Sequence, residues 1–85
     1  MKEYIVKNKT IKCGGEDFLV SGSAFYVIED YDEDGQEALF DSAKIHDALN
    51  RNGYITSPEV LTHLQECLVE TLNKDSTLCR QLGYK

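Results

Sequence analysis

The apolar pattern changes from strand-like to helix-like along this chain, and that change restricts the fold more than any other feature. Up to residue 40, short β-branched and aromatic runs are separated by Gly, Asn and Ser, which is typical of strands and turns. Beyond residue 57, apolar residues recur at the helical spacings of three and four: Val60, Leu61, Leu64, Cys67, Leu68 and Leu72. The pattern predicts an α+β fold, with an antiparallel β meander of about four to five short strands followed by two to three helices packed on one face.

Turn-forming residues set the expected strand boundaries near the N-terminus. Asn8 and Lys9 lie between the β-type runs 3–7 and 10–13, which predicts a tight hairpin. Gly22 interrupts a later apolar run and predicts a turn or a β-bulge there.

Residues 24–31 form the longest predicted strand, with aromatic and β-branched residues on both of its faces. An acidic turn comes directly after this strand, and Gly35 can adopt the left-handed conformation that closes a type I turn. The chain then returns through residues 36–40, so we expect an acidic hairpin tip.

A first helix is predicted to begin at Asp41 or Ser42, since both are good N-cap residues. Phe40 and Ile45 have the spacing of a hydrophobic staple, and Gly53 offers a left-handed residue for the helix end.

A second helix is expected to begin after Ser57, because Pro58 suits the first helical position, where no amide partner is lost. A short third helix is predicted to begin at Asp75 or Ser76 and to end at Gly83.

The chain has 85 residues, below the usual domain size of about 100–150 residues. We therefore expect one domain, 1–85, divided into a β meander over 1–40 and a helical half over 41–85. No apolar run is long enough to cross a bilayer, which needs about 18 residues. The N-terminus does not lead into an apolar signal core, so we expect a cytoplasmic protein with no membrane partner.

The net charge of −6 is concentrated in the middle of the chain. Residues 1–12 carry a net charge of +3, residues 13–41 carry nine carboxylates and no base, and residues 42–85 are balanced. Direct nucleic-acid binding is not expected, since it depends on clustered Lys and Arg. The charge forms a patch.

Six carboxylates fall within the nine residues 29–37. A patch of this sign can steer the protein toward a basic surface on a partner and raise the association rate and specificity. Tyr26, Tyr31 and Tyr54 could add aromatic anchors. We predict a partner-binding segment made of Glu29, Asp30, Tyr31, Asp32, Glu33, Asp34 and Glu37.

The same segment offers an alternative, a weak calcium site. Asp30, Asp32, Asp34 and Asp41 occupy positions 1, 3, 5 and 12 of a twelve-residue loop with Gly35 at position 6, which resembles an EF-hand loop. Asp41 replaces the usual Glu at position 12, and a strand enters the loop instead of a helix. Apart from this weak calcium alternative, no cofactor is expected.

The three cysteines, Cys13, Cys67 and Cys79, are an odd number in a chain without an export signal, so we expect free thiols and no disulfide. His63 and Cys67 stand four apart on the predicted helix and could share an ion, but the Cys67 position fits a buried core residue better. No catalytic motif is present, and we do not expect an enzyme.

In size, acidity and lack of catalytic motifs, the chain resembles small phage-encoded inhibitors such as anti-CRISPR and anti-restriction proteins. The resemblance covers composition only. It implies a non-enzymatic inhibitor or adaptor that mimics nucleic acid and occupies the basic surface of a nucleic-acid enzyme. A structural homodimer built on the helix surface 57–73 is a further alternative.

Overall fold

The computed structural model describes residues 1–31 and 35–83, and over these residues it forms one antiparallel sheet and two helices. The elements are β1 (Lys2–Cys13), β2 (Glu16–Tyr31), β3 (Gly35–Asn50), β4 (Gly53–Tyr54), α1 (Pro58–Lys74) and α2 (Ser76–Gly83). The strand order β1-β2-β3-β4 is a meander. The predicted α+β class is confirmed, with four strands in the described part, three of them much longer than expected.

Glycines with positive φ values stand at the turns between the long strands. Gly14 and Gly15 link β1 to β2 with φ values of 61° and 81°, the left-handed pair that a type I′ turn requires. Strands β2 and β3 are paired up to Tyr31 and Gly35, and Gly35 has a φ of 82°. The hairpin and its closing glycine are as predicted; Asp32, Glu33 and Asp34 lie outside the described residues.

The predicted hairpin at Asn8 and Lys9 is wrong, because this segment is a β-bulge inside β1. The register against β2 shifts between Val6 and Lys9, and Asn8 has a φ of 47°. The Asn8 amide donates a hydrogen bond of 2.9 Å to Ser21 Oγ. Asn tolerates the left-handed region and so allows the strand to continue through the irregularity.

The predicted first helix is also wrong, because its residues belong to β3. Two register shifts against β2 give β3 one extra residue each, Asp41 and His46. Each extra residue changes which side chains face the helices, since side chains of a regular strand alternate. The inward residues consequently recur at spacings of three, two and three, which imitates a helical pattern: Phe40, Ala43, Ile45 and Ala48.

The meander therefore reaches Tyr54, and the helical half begins at Pro58 instead of residue 41. Helix α1 begins as predicted: Ser57 is its N-cap and accepts a hydrogen bond from the Val60 amide, and Pro58 opens the first turn.

The apolar stripe of α1 faces the sheet and anchors the helix. Leu64, Leu68 and Leu72 are at most 1% exposed. Burial of each leucine contributes about 1.5–3 kcal/mol to the free energy of folding. Helix α2 corresponds to the predicted third helix, and its first turn is capped by Asp75, whose Oδ1 accepts from the Leu78 amide at 3.1 Å.

Both helices pack on one face of the sheet, α1 against β1 and β3 and α2 against β3. The core between the two layers combines the inward residues of three strands with the α1 leucines and Cys79. The opposite face of the sheet has no covering layer in the part of the chain that the structure describes. Over that same part, neither helix is long and apolar enough to cross a membrane.

Candidate functional site

The acidic residues of the predicted partner-binding segment lie at the far end of the β2–β3 hairpin. We call Glu29, Asp30 and Glu37 the acidic hairpin end. Glu29 stands directly opposite Glu37 in the strand register, and Asp30 stands opposite Gln36, whose Nε2 donates a hydrogen bond of 2.7 Å to Asp30 Oδ1. The two strands thus hold two like charges side by side.

The charges of the acidic hairpin end are not compensated within the described residues. Over 1–31 and 35–83, the carboxylates that form ion pairs are elsewhere in the fold: Asp17, Asp47, Glu66 and Glu70. Like charges directly opposite each other destabilise a strand pair. The Glu29–Glu37 pair is therefore a local cost that the fold itself does not offset.

An apolar pair adjoins this charged pair on the open face of the sheet. Val27 stands opposite Leu39, one step along that face from Glu29 and Glu37, and their exposures are 38% and 40%. Phe25 continues the same face and is half-buried. We call Val27 and Leu39 the open-face pair; together with the acidic hairpin end it combines an apolar centre with a negative rim.

The helical layer supports this end of the sheet from behind. Gly83 of α2 lies so close to the Gln36 carbonyl that a Cβ at position 83 would overlap it. Cys79, one turn earlier, is a buried free thiol whose Sγ donates to the Leu72 carbonyl at 3.3 Å. Burial raises the pKa of the Cys79 thiol, and the carboxylates of Glu37 and Asp75 raise it further. This cysteine is kept neutral and held within the core.

The three tyrosines considered as anchors lie in different surroundings. Tyr26 is buried and packs against Phe40 with ring centroids 5.3 Å apart, so it belongs to the core. Tyr54 is 73% exposed, but it lies on β4, opposite Leu49. The side chain of Tyr31 lies outside the described residues. The exposed apolar contacts next to the carboxylates are Val27 and Leu39, which the sequence interpretation does not select.

The strand register separates two members of the calcium set. Asp41 is the extra residue beside the Tyr26–Phe40 pair, four positions along β2 from Asp30, a distance of about 13 Å along the strand. Ligands of one Ca²⁺ lie within about 2.6 Å of the ion, so Asp30 and Asp41 do not share it. Asp32 and Asp34 lie outside the described residues.

The expectation of free thiols is wrong for two of the three cysteines. Cys13, the last residue of β1, and Cys67, on α1, form a disulfide across 54 residues of sequence, with Cα atoms 5.9 Å apart. The sequence separation gives no signal, because only the packing of α1 against β1 brings the two residues together. His63 lies one helical turn before Cys67, and its ring nitrogen is within 4.8 Å of both sulfur atoms.

Comparison of the chain with protein-family models, with curated proteins and with solved structures gave no match.

Proposed function

We propose that this protein is a non-enzymatic inhibitor or adaptor that docks the acidic end of its β2–β3 hairpin onto a basic surface of a nucleic-acid enzyme. The observation that supports this most directly is the uncompensated Glu29–Glu37 pair beside the exposed Val27–Leu39 pair. A fold accepts such a local cost at sites where another selective demand acts.

The chemistry of the surface defines the partner. Protein interfaces combine a desolvated apolar centre with a polar rim, and complementary charge steers the encounter and excludes wrong partners. Val27 and Leu39 supply the centre, and Glu29, Asp30 and Glu37 supply a negative rim, so the partner requires an apolar contact surrounded by Lys and Arg. Surfaces rich in these bases are the ones that bind the phosphate backbone of nucleic acids.

The variant Glu29→Gln/Glu37→Gln tests the proposal with a matched control. Both changes keep side-chain size and remove two charges, and the control Glu59→Gln/Glu70→Gln removes two charges from exposed positions on α1. Each immobilised protein is incubated with extract from the source cells, and retained proteins are quantified by mass spectrometry at low and high salt. We expect the wild type and the control to retain the same partner proteins at low salt. Glu29→Gln/Glu37→Gln should fail to retain them, and high salt should release them from all three chains.

The best-retained protein is then purified and its association rate is measured against the same three chains. Loss of the steering charges should lower that rate about tenfold, with a weaker salt dependence, while the control stays within a factor of about two. Equal retention by both variants contradicts the proposal, and so does a partner whose rate constant is the same for all three chains. Concentration-dependent light scattering by the chain alone favours the homodimer instead.

A further inference from the structure

A cluster of three metal-ligating side chains lies where α1 crosses the end of β1, apart from the acidic hairpin end. Cys13, His63 and Cys67 each place one ligand atom within 4.8 Å of the other two. Cys67 lies six residues before Asn73 on α1, about 9 Å along the helix, and Asn73 bonds to Phe40, which is three residues from Glu37 on β3, so among the described residues the two groups share no residue and no contact. The cluster is therefore independent of the proposed docking surface.

Regular pairing and packing hold the elements that carry these residues in place. His63 and Cys67 are four residues apart on α1 and share one face of the helix. Leu64 and Leu68 directly follow these two residues in the sequence. Both leucines are buried against the sheet, and this fixes the orientation of the helix about its own axis. Cys13 is held by its pairing with Glu16 beside the Gly14–Gly15 turn. Such positions suit a metal site, which depends on ligands held in place by the scaffold.

Access and ligand orientation also favour an ion. Cys13 is buried, Cys67 is half-buried, and the His63 side chain is 66% exposed, so the cluster has a protected side and an open side. Glu66 Oε1 lies 3.7 Å from His63 Nδ1. A carboxylate that hydrogen-bonds one ring nitrogen is the usual companion of a metal-bound histidine and leaves the other nitrogen for the ion; a small rotation of the exposed Glu66 side chain would bring it into that position.

The oxidation state decides whether the sulfurs can bind. In the disulfide, both sulfur atoms are bonded to each other. Two molecules of a small thiol, 2 RSH, transfer two electrons to the S–S bond and become RSSR, and the two protons pass to Cys13 and Cys67. A divalent cation that binds the resulting pair as thiolates releases those protons.

We propose that Cys13, Cys67 and His63 form a redox-controlled site for a thiophilic divalent cation, of which Zn²⁺ is the representative: the disulfide closes the site and thiol reduction opens it. Two thiolates and one imidazole are a Cys₂His donor set with the fourth position open to water, an arrangement that zinc accepts. Soft sulfur donors select such ions over Mg²⁺ or Ca²⁺.

The test compares oxidised and thiol-reduced protein, freed of excess thiol, in titrations with Zn²⁺ and with Co²⁺. We expect the reduced chain to bind one ion, to show a sulfur-to-cobalt charge-transfer band with Co²⁺, and to gain thermal stability with Zn²⁺. The oxidised chain should show none of these. If the reduced chain unfolds without metal, circular dichroism should show that Zn²⁺ refolds it, because binding and folding are then coupled.

Two histidine variants separate ligation from general ion affinity. His63→Gln should lower the Zn²⁺ affinity of the reduced chain at least tenfold, since loss of even an outer-shell partner costs about 10–100-fold. His46→Gln is the matched control, because His46 is similarly exposed and has a carboxylate, Asp47 Oδ2, 3.4 Å from its Nδ1. Both histidines are on the surface, so folding should survive either change.

Three results would overturn the proposal. In the first, the reduced wild-type chain binds no Zn²⁺. In the second, the oxidised chain binds Zn²⁺ as tightly as the reduced chain. In the third, His63→Gln and His46→Gln change the Zn²⁺ affinity of the reduced chain equally. The first result assigns Cys13 and Cys67 to a structural disulfide alone.

Discussion

Single residues decide where the long strands bend, and Gly22 is the clearest case. It lies between β1 and β3, opposite Val6 and Ile45, next to register shifts on both sides. A Cβ at this position would overlap the Lys44 carbonyl and crowd Ile45 Cα. The glycine is required by the close approach of the neighbouring strand, which is what a glycine inside a strand often indicates.

Gly22→Ala should therefore lower the free energy of unfolding by about 3 kcal/mol, the upper end of the usual cost of overpacking, because backbone atoms cannot rotate away. Urea denaturation followed by circular dichroism measures this change. Ser23→Ala, the adjacent substitution, should cost less than about 1 kcal/mol. Equal midpoints for the two variants would show that β3 shifts freely at this point.

At the scale of elements, the long β3 strand has an edge that its sheet neighbours leave open. Strand β4 pairs with only Leu49 and Asn50. Helix α1 protects part of the remaining edge with two side chains. Asn73 accepts from the Phe40 amide at 2.8 Å and donates to the Phe40 carbonyl at 2.9 Å, and Gln65 Oε1 accepts from the Ile45 amide at 3.0 Å. Occupied edge groups are not available for pairing with another chain.

Asn73→Ala removes both partners of Phe40 and should cost about 1–3 kcal/mol, the desolvation penalty of partly buried groups left unpaired. Amide hydrogen exchange at Phe40 should become faster in the native state. Lys74→Ala is the control, since its ion pair with Glu70 is on the surface and contributes less than about 1 kcal/mol. Unchanged exchange at Phe40 would contradict the role given to Asn73.

How well the elements can be predicted from the sequence depends on how local their signals are. Ser57, Pro58 and the α1 leucines act within one helix, so the sequence predicts α1 correctly. The segment after Asp41 reads as a helix because two bulges replace the period of two with steps of three, and a bulge depends on the partner strand.

The candidate sites also differ in whether their signal is local in the sequence or depends on how distant elements pack. The cluster of carboxylates is visible in the sequence because its members are neighbours in the chain. The open-face pair depends on which face the helices leave bare, and the contact of Cys13 with Cys67 and His63 depends on how α1 crosses the sheet. Neither can be read from residue spacing.

For the whole molecule, the acidic hairpin end and the cysteine–histidine cluster are separate sites: six residues of α1, the Asn73–Phe40 contact and three residues of β3 lie between Cys67 and Glu37. Sites this far apart and without shared partners usually behave additively. The variant Glu29→Gln/Glu37→Gln should thus leave zinc binding unchanged, and His63→Gln should leave partner binding unchanged, so failure of one proposal does not imply failure of the other.

The disulfide is the largest single constraint on the unfolded chain. It closes a loop across 54 residues, from the end of β1 to the middle of α1. Closing a loop of this length lowers the conformational entropy of the unfolded chain, and in the chain-entropy treatment this stabilises the folded state by about 4 kcal/mol. An 85-residue domain buries a modest core, so this contribution is a large fraction of the total stability of about 5–15 kcal/mol that domains possess.

Cys13→Ser/Cys67→Ser should therefore lower the free energy of unfolding by about 2–4 kcal/mol relative to the oxidised wild type, in metal-free urea titrations. A small thiol should lower the urea midpoint of the wild type toward that of the double variant. The midpoint of the double variant should not change, because it has no disulfide to reduce. Cys79→Ala alters a buried thiol outside the disulfide. The urea midpoint of this variant should still fall when the thiol is added, because the Cys13–Cys67 cross-link is intact. If the thiol did not change the wild-type midpoint, the link between β1 and α1 would not limit the unfolded chain, and the stability of this domain would rest on its packed core.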